Sequence, residues 1–126
     1  MEWTFNEDAP IYLQIVQQFK AQIASGRWQP GEKIPSVREL ALEAGVNPNT
    51  MQKALAELER AGMVFSQRTA GRFVSGEVGQ RDRLQREMAS QLMQEFADRM
   101  ETLGYSVTQA AQLFTEFSRQ KERRGI

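Results

Sequence analysis

Between Ser36 and Gly62 the sequence holds two short helices with almost nothing between them. Ser36 and Glu39 make the S-x-x-E pattern of a capping box, in which each side chain satisfies a backbone N–H that has no intrahelical partner. Leu40, Ala41 and Ala44 give this segment a buried face, and Gly45 stops it. After Val46 come Asn47, a good N-cap, and Pro48, suited to a first helical position. The next helix runs to about Ala61, with Met51, Ala54, Leu55 and Leu58 inward and Gly62 as its stop. Two short helices joined by a glycine-containing turn form the helix-turn-helix pattern.

The flanking segments complete a domain around that pair. Ile11, Ile15, Phe19 and Ile23 recur every four residues and predict a first helix from about Pro10, at the first helical position, to Ser25. Arg27 to Pro35, with two prolines and a glycine, reads as a loop pinned to the core by Trp28 and Ile34. After Gly62 the period changes. Met63–Gln67 and Arg72–Ser75 predict two short strands about the turn Arg68–Gly71, a hairpin that forms a wing. The expected fold is mostly α with a small β-hairpin: a winged helix-turn-helix over residues 1–75.

Residues 76–80, GEVGQ, are a linker, and residues 81–126 a helical dimerisation domain of two helices. Leu84, Met88, Leu92, Phe96 and Met100 form an i, i+4 row on a helix of roughly 81–103, ended by Gly104. Ser106 or Thr108 caps a last helix carrying Val107, Ala110, Ala111, Phe114 and Phe117. So small a tail cannot bury its own core well. The row, with Phe114 and Phe117, therefore reads as a homodimer interface; the alternative is packing on the winged domain of the same chain.

Composition narrows the function. There is no cysteine and no histidine, which removes disulfides, thiol nucleophiles and the commonest general base and transition-metal ligand. Neither catalysis nor a cofactor nor a metal site is implied. No apolar run approaches the roughly 18 residues of a membrane span, and the first residues, MEWTFNEDAP, are acidic where a signal peptide is basic. A cytoplasmic protein with no membrane contact is the expectation.

Sixteen basic residues balance sixteen acidic ones, so no global excess of positive charge advertises a nucleic-acid partner. Read by position, the balance changes. Gly45 to Ala56 carries one charge, Lys53, and Ala61 to Ser75 carries two, Arg68 and Arg72, all positive. With Met51, Ala54, Leu55 and Leu58 inward, Asn49, Gln52, Lys53 and Ala56 face out. Amides bond bidentately to adenine edges, and lysine reaches guanine or phosphate. A solvated face with no partner is the plainer alternative. Arg38, at the start of the preceding helix, fits a phosphate or base-edge contact, or else an ion pair with Glu39 or Glu43. In the wing, Arg68 and Arg72 flank Thr69-Ala70-Gly71, and Gly71 lets the backbone approach a sugar-phosphate strand. These features point to double-stranded DNA. A winged-helix protein-interaction module that never meets DNA remains the alternative.

The run from Pro10 to Val64 resembles the GntR family of bacterial transcription regulators. The resemblance rests on Pro30-Gly31, Ile34-Pro35-Ser36, Arg38, Leu40-Ala41, Gly45-Val46, Thr50 and, in the wing, Phe73-Val74. The short helical tail resembles the YtrA subfamily, whose members are often encoded beside membrane-transporter genes. The resemblance implies repression at a palindromic operator, with DNA contacts at Ser36, Arg38, Asn47, Asn49, Thr50, Gln52, Lys53 and the wing. Two departures stand out: Pro48 replaces a common arginine, and Thr69 and Arg72 replace a glycine and a threonine of the usual wing. A small-molecule effector is compatible with the tail, where Met88, Met93 and Met100 offer adaptable apolar lining, although methionines at helical spacing are more often plain core.

Overall fold

The computed structural model describes residues 1–125. They form two compact units, Met1–Gln85 and a second that begins at Arg86. The first holds α1 (Ile11–Ala24), α2 (Val37–Ala44), α3 (Pro48–Arg60), β1 (Val64–Gln67), β2 (Gly71–Val74) and the first residues of α4 (Gln80–Thr102). The second holds the rest of α4 and α5 (Val107–Arg123). The winged helix-turn-helix and the helical tail predicted from the sequence are both present.

Pro10 sits one position earlier than expected. It has extended backbone, φ −53° and ψ 140°, and is the N-cap of α1, where its carbonyl accepts from Leu13 and Gln14. The inward face of α1 is wider than the i, i+4 row: Ile15, Val16, Phe19, Ile23 and Ala24 are buried, while Ile11 is half-buried. Trp28 packs on Phe19 with ring centroids 5.9 Å apart, and Ile34 is buried, so both ends of the 27–35 loop are fixed to the core.

The helix-turn-helix forms by local chemistry. Glu39 donates its N–H to Ser36 Oγ at 3.2 Å, while the Glu39 carboxylate accepts from the Ser36 N–H, closing the capping box. Gly45 ends α2 at φ 70°, a left-handed conformation that a Cβ disfavours, and Val46 N–H then reaches back to the Ala41 carbonyl at 3.0 Å. Asn47 Oδ1 accepts the Asn49 N–H at 2.7 Å and starts α3. Helix α3 packs against α1, α2 and β1, and its buried residues are Met51, Ala54, Leu55 and Leu58.

In the wing, β1 and β2 pair antiparallel with Val64 opposite Val74, Phe65 opposite Phe73, Ser66 opposite Arg72 and Gln67 opposite Gly71. The second strand thus begins at Gly71, one residue before the predicted start. The far edge of β2 is also paired. Gly31 N–H donates to the Val74 carbonyl, Val74 N–H to Glu32, and Ile34 N–H to Arg72, with Lys33 opposite Phe73. Residues 31–34 of the segment expected to be a loop are therefore tied to the edge of this two-stranded sheet through one bridge.

Two expectations about the tail are corrected. Gln80, assigned to the linker, is the buried first residue of α4, and its Nε2 donates to the Gly62 carbonyl at 2.6 Å. Arg81 Nε donates to the Ala24 carbonyl at 3.1 Å, so a cation caps the C-terminal end of α1. Leu84, expected in the dimer row, is 3% exposed and belongs to the first unit. The reason is helical geometry. At 3.6 residues per turn a strict i+4 row drifts about 40° per step, so Leu84 and Met100 lie roughly 160° apart around the helix. They cannot belong to one stripe.

In the second unit, Ser106 caps α5, with Gln109 completing a capping box, and Ala110 is buried. Phe96 meets Phe114 edge-on at 5.9 Å, and Phe114 meets Phe117 at 5.8 Å. Met88 and Met100 are half-buried. Leu92 is nonetheless 66% exposed, Phe114 55% and Phe117 53%.

Leu55 is fully buried in α3. Leu55→Ala is expected to lower stability by about 2–5 kcal/mol through lost burial and a residual cavity. In urea titrations the midpoint should fall with an unchanged slope; a midpoint like that of the wild type would place the core elsewhere.

Candidate nucleic-acid interface

The burial of one face of α3 fixes what the other presents. Asn49, Gln52, Lys53 and Ala56 are all exposed, and Thr50 is half-buried. No carboxylate interrupts this face from Asn49 to Ala56, and the first acid, Glu57, is drawn into an ion pair with Arg60. The N-terminal half of α3 therefore offers amide donors and acceptors with one cation. Asn47 differs from Asn49 and Gln52 because its side-chain oxygen is spent on capping, leaving its amide N–H groups for a ligand.

Lys53 has a partner that the sequence did not suggest. Its Nζ lies 4.0 Å from the ring centroid of Tyr12 on α1. The ring face attracts the ammonium without neutralising it, so Lys53 is held towards the α1 flank with its full charge. Such a placement suits a phosphate better than a base edge.

Ser36 and Arg38 sit at the start of α2 and are exposed. The Ser36 hydroxyl is committed to the capping box, with Oγ 3.1 Å from the Glu39 carboxylate. Arg38 has no carboxylate within ion-pair distance among the described residues, so its guanidinium is free to fork onto an acceptor.

An open cleft of about 860 Å³ runs between residues 33–39 and residues 66–72, joining the start of α2 to the wing. Arg68 and Thr69 stand exposed at its tip. Arg72 does not behave as expected. Its Nε lies 3.9 Å from the Glu59 carboxylate of α3, which also accepts from the Ser66 hydroxyl, and the side chain is only 23% exposed. Because Arg72 is opposite Ser66, it shares the face of Val64 and Val74, which looks to the core. Arg72 braces the wing against α3, whereas Arg68 is open to a ligand. Gly71 is at φ 104°, and a Cβ there would stand 3.1 Å from Lys33 Cε. The far end of the exposed Lys33 side chain thus lies beside the place where a Gly71 Cβ would stand. Lys33 and Tyr12 are the residues at this surface that the sequence reading missed. Tyr12 carried a faint signal, lying one position off the apolar row of α1; Lys33 carried none, because a loop has no period.

Residues 11–74 match the family described as bacterial regulatory proteins, gntR family. The HTH-type transcriptional repressor YtrA of Bacillus subtilis is 50% identical over 66 residues, covering 52% of this chain and 51% of the repressor. The match thus spans about half the length of that relative. Along nearly its whole length it is similar to the solved structure of a GntR family transcriptional regulator from Listeria monocytogenes, with 33% identity and a TM-score of 0.81, covering 89% of this chain and 98% of the other. The DNA-binding domain of AraR, solved in complex with operator ORX1, aligns at 30% identity and a TM-score of 0.55, covering 60% of this chain and 96% of that domain.

Two arginines should separate cleanly by substitution. Arg38→Ala is expected to weaken binding to a DNA duplex by about 1–3 kcal/mol with the melting temperature unchanged. Arg72→Ala should lower the melting temperature and change the salt dependence of binding less than Arg38→Ala does, since its side chain is mostly buried beside Glu59. Equal affinity of Arg38→Ala and wild type in a titration at moderate salt would remove Arg38 from the interface.

Proposed function

This chain belongs to the GntR family of bacterial regulatory proteins, in its YtrA-like branch, and on that premise we propose that it is a repressor that binds a palindromic operator as a homodimer. At the coarser level it is a DNA-binding transcriptional regulator and not an enzyme. The reading rests on one observation: the outward face at the start of α3, free of carboxylates, lies in the same fold as an unpaired Arg38 and an exposed Arg68. In this reading Asn49 and Gln52 read base edges in the major groove. Lys53 and Arg38 hold the flanking phosphates, and Arg68 extends the contact from the wing. Asn47, through the amide N–H groups its cap leaves free, and Thr50 add contacts at the first turn of α3.

Two copies are the natural reader of a palindrome, because each recognition helix then meets one half-site about a helical turn from the other. The exposed Leu92, Phe96, Phe114 and Phe117, with the half-buried Met88 and Met100, support a second copy as the cover of this face. An apolar cleft of about 310 Å³ lies among Phe96, Met100, Leu113, Phe114 and Phe117 in the same unit; an effector, where one acts, would bias the dimer from there. No helix among the described residues is long and apolar enough to cross a membrane, and the protein acts in the cytoplasm on DNA, with membrane-transporter genes as the expected targets of this branch.

Selection from a random-sequence duplex library tests the readout. Wild type should enrich an inverted repeat, and Gln52→Ala should relax preference at one position of each half-site by roughly 1–3 kcal/mol. Failure of the wild type to enrich any sequence would turn the proposal towards a protein partner.

The dimer is tested separately with Leu92→Asp combined with Phe96→Asp. Carboxylates buried without partners are costly, so light scattering should report a monomer. The winged unit should still melt cooperatively, because Ile15, Phe19, Leu40, Leu55 and Leu58 lie in its own core. Affinity for the full inverted repeat should fall towards that for a half-site, since the second contact is no longer intramolecular. A folded variant that stayed dimeric would move the interface elsewhere.

A further inference from the structure

Lys33 precedes the helix-turn-helix, in the segment that pairs with the far edge of β2. Opposite it is Phe73, and opposite Phe73 is Phe65, whose ring stacks on that of Phe73 at 5.7 Å. Partners across a ladder point to the same face. Lys33, Phe73 and Phe65 therefore form one row on the face of the wing turned away from Val64 and Val74. Gly71 lies two residues along β2 from Phe73 and so shares that face. It has no side chain, and the stem of Lys33 runs diagonally into the vacant place: Cε lies 3.1 Å, and Nζ 3.8 Å, from where a Cβ on Gly71 would be. The ammonium is carried to the base of the hairpin tip, beside the turn that begins with Arg68. It has no carboxylate partner within ion-pair distance among the described residues, and neither has Arg68. Glu32, the nearest acid in sequence, accepts from the Gln29 N–H instead. Lys33 and Arg68 both border the cleft that reaches to the start of α2.

We propose that Lys33 is a further DNA-contacting residue, seated in the slot left by Gly71 so that its ammonium meets a phosphate beside the one engaged by Arg68. This rests on the DNA-binding reading above and extends it to a residue outside the helix-turn-helix. It also reassigns Gly71, whose missing side chain makes room for lysine rather than for the nucleic-acid backbone. A phosphate contact of this kind adds affinity and positions the protein without reading sequence.

The test uses the full chain with two probes: a duplex enriched by the wild type and a random-sequence duplex of the same length. Lys33→Met keeps an apolar stem and removes the charge; Lys33→Arg keeps the charge. Each phosphate neutralised contributes about 0.9 to the slope of log affinity against log salt. Lys33→Met should weaken binding to both duplexes several-fold at moderate salt and flatten that slope by about 0.9 per protomer. Lys33→Arg should restore both quantities, and the melting temperatures of all three proteins should agree. An affinity loss in Lys33→Met without a change of slope would make Lys33 a support for the wing and overturn the assignment. So would a wild-type slope and affinity in Lys33→Met. If instead the wild type enriched no sequence and did not bind the random-sequence duplex, the DNA-binding reading itself would fall, an outcome separable from failure of Lys33 alone.

Discussion

Four side chains on one face of α3 are withdrawn from solvent completely, and the rest of the winged unit is arranged to cover them. Met51, Ala54, Leu55 and Leu58 meet α1, α2 and β1 at once. Burying a side chain of leucine size is worth about 1.5–3 kcal/mol, so this face outweighs any preference of the polar residues on the other side. The orientation of α3 about its own axis follows. Asn49, Gln52 and Lys53 are outward because the residues between them are not free to be. A recognition surface built in this way is preorganised, with no rotation of the helix left to be fixed when a ligand arrives.

What was legible in the sequence was what is decided within a few residues. The capping box at Ser36, the cap at Asn47 and the left-handed Gly45 depend on neighbours at fixed offsets, and they locate both ends of α2 and the start of α3. The inward face of α3 follows from a period alone. The illegible parts depend on pairings between distant segments. Arg72 looked like a wing contact until the register placed it opposite Ser66, on the face turned to α3 and Glu59. A strand has a side-chain period of two, so a shift of one residue exchanges its faces. Lys33 was invisible because its role arises from an edge pairing and a missing side chain on another strand. Leu84 was misplaced because a row drawn at i+4 on paper is not a stripe on a helix of 3.6 residues per turn.

The start of α4 shows why the division between the parts of this chain does not coincide with its glycine-containing linker. Gln80 and Arg81 bond to carbonyls at the ends of α3 and α1, on Gly62 and Ala24 respectively. Both carbonyls lie where a helix has just stopped, so they lack intrahelical partners, and both receive a side-chain donor. With Leu84 buried beside these bonds in sequence, the first turn and a half of α4 completes the winged unit. Only beyond Gln85 does the helix carry exposed apolar residues that a second copy would cover.

A neutral chain can still present a positive surface when its acids are committed elsewhere. Glu39 is turned back on Ser36, Glu57 pairs with Arg60, and Glu59 is held by Arg72 and Ser66. Each of these carboxylates lies on α2 or α3; the two beside an arginine are offset in charge, while Glu39 keeps its charge and is fixed only in direction. Arg38, Lys53, Arg68 and Lys33 keep their charge available, with Lys53 steadied by an aromatic ring that takes none of it away. At physiological salt the Debye length is about 8 Å, so charges beyond that range are screened while these neighbours are not. The balance of charge over the whole chain governs long-range attraction to DNA. The local pairing of acids governs what happens on contact. Here the placement of the acids, rather than an excess of basic residues, leaves the outward start of α3 without a carboxylate.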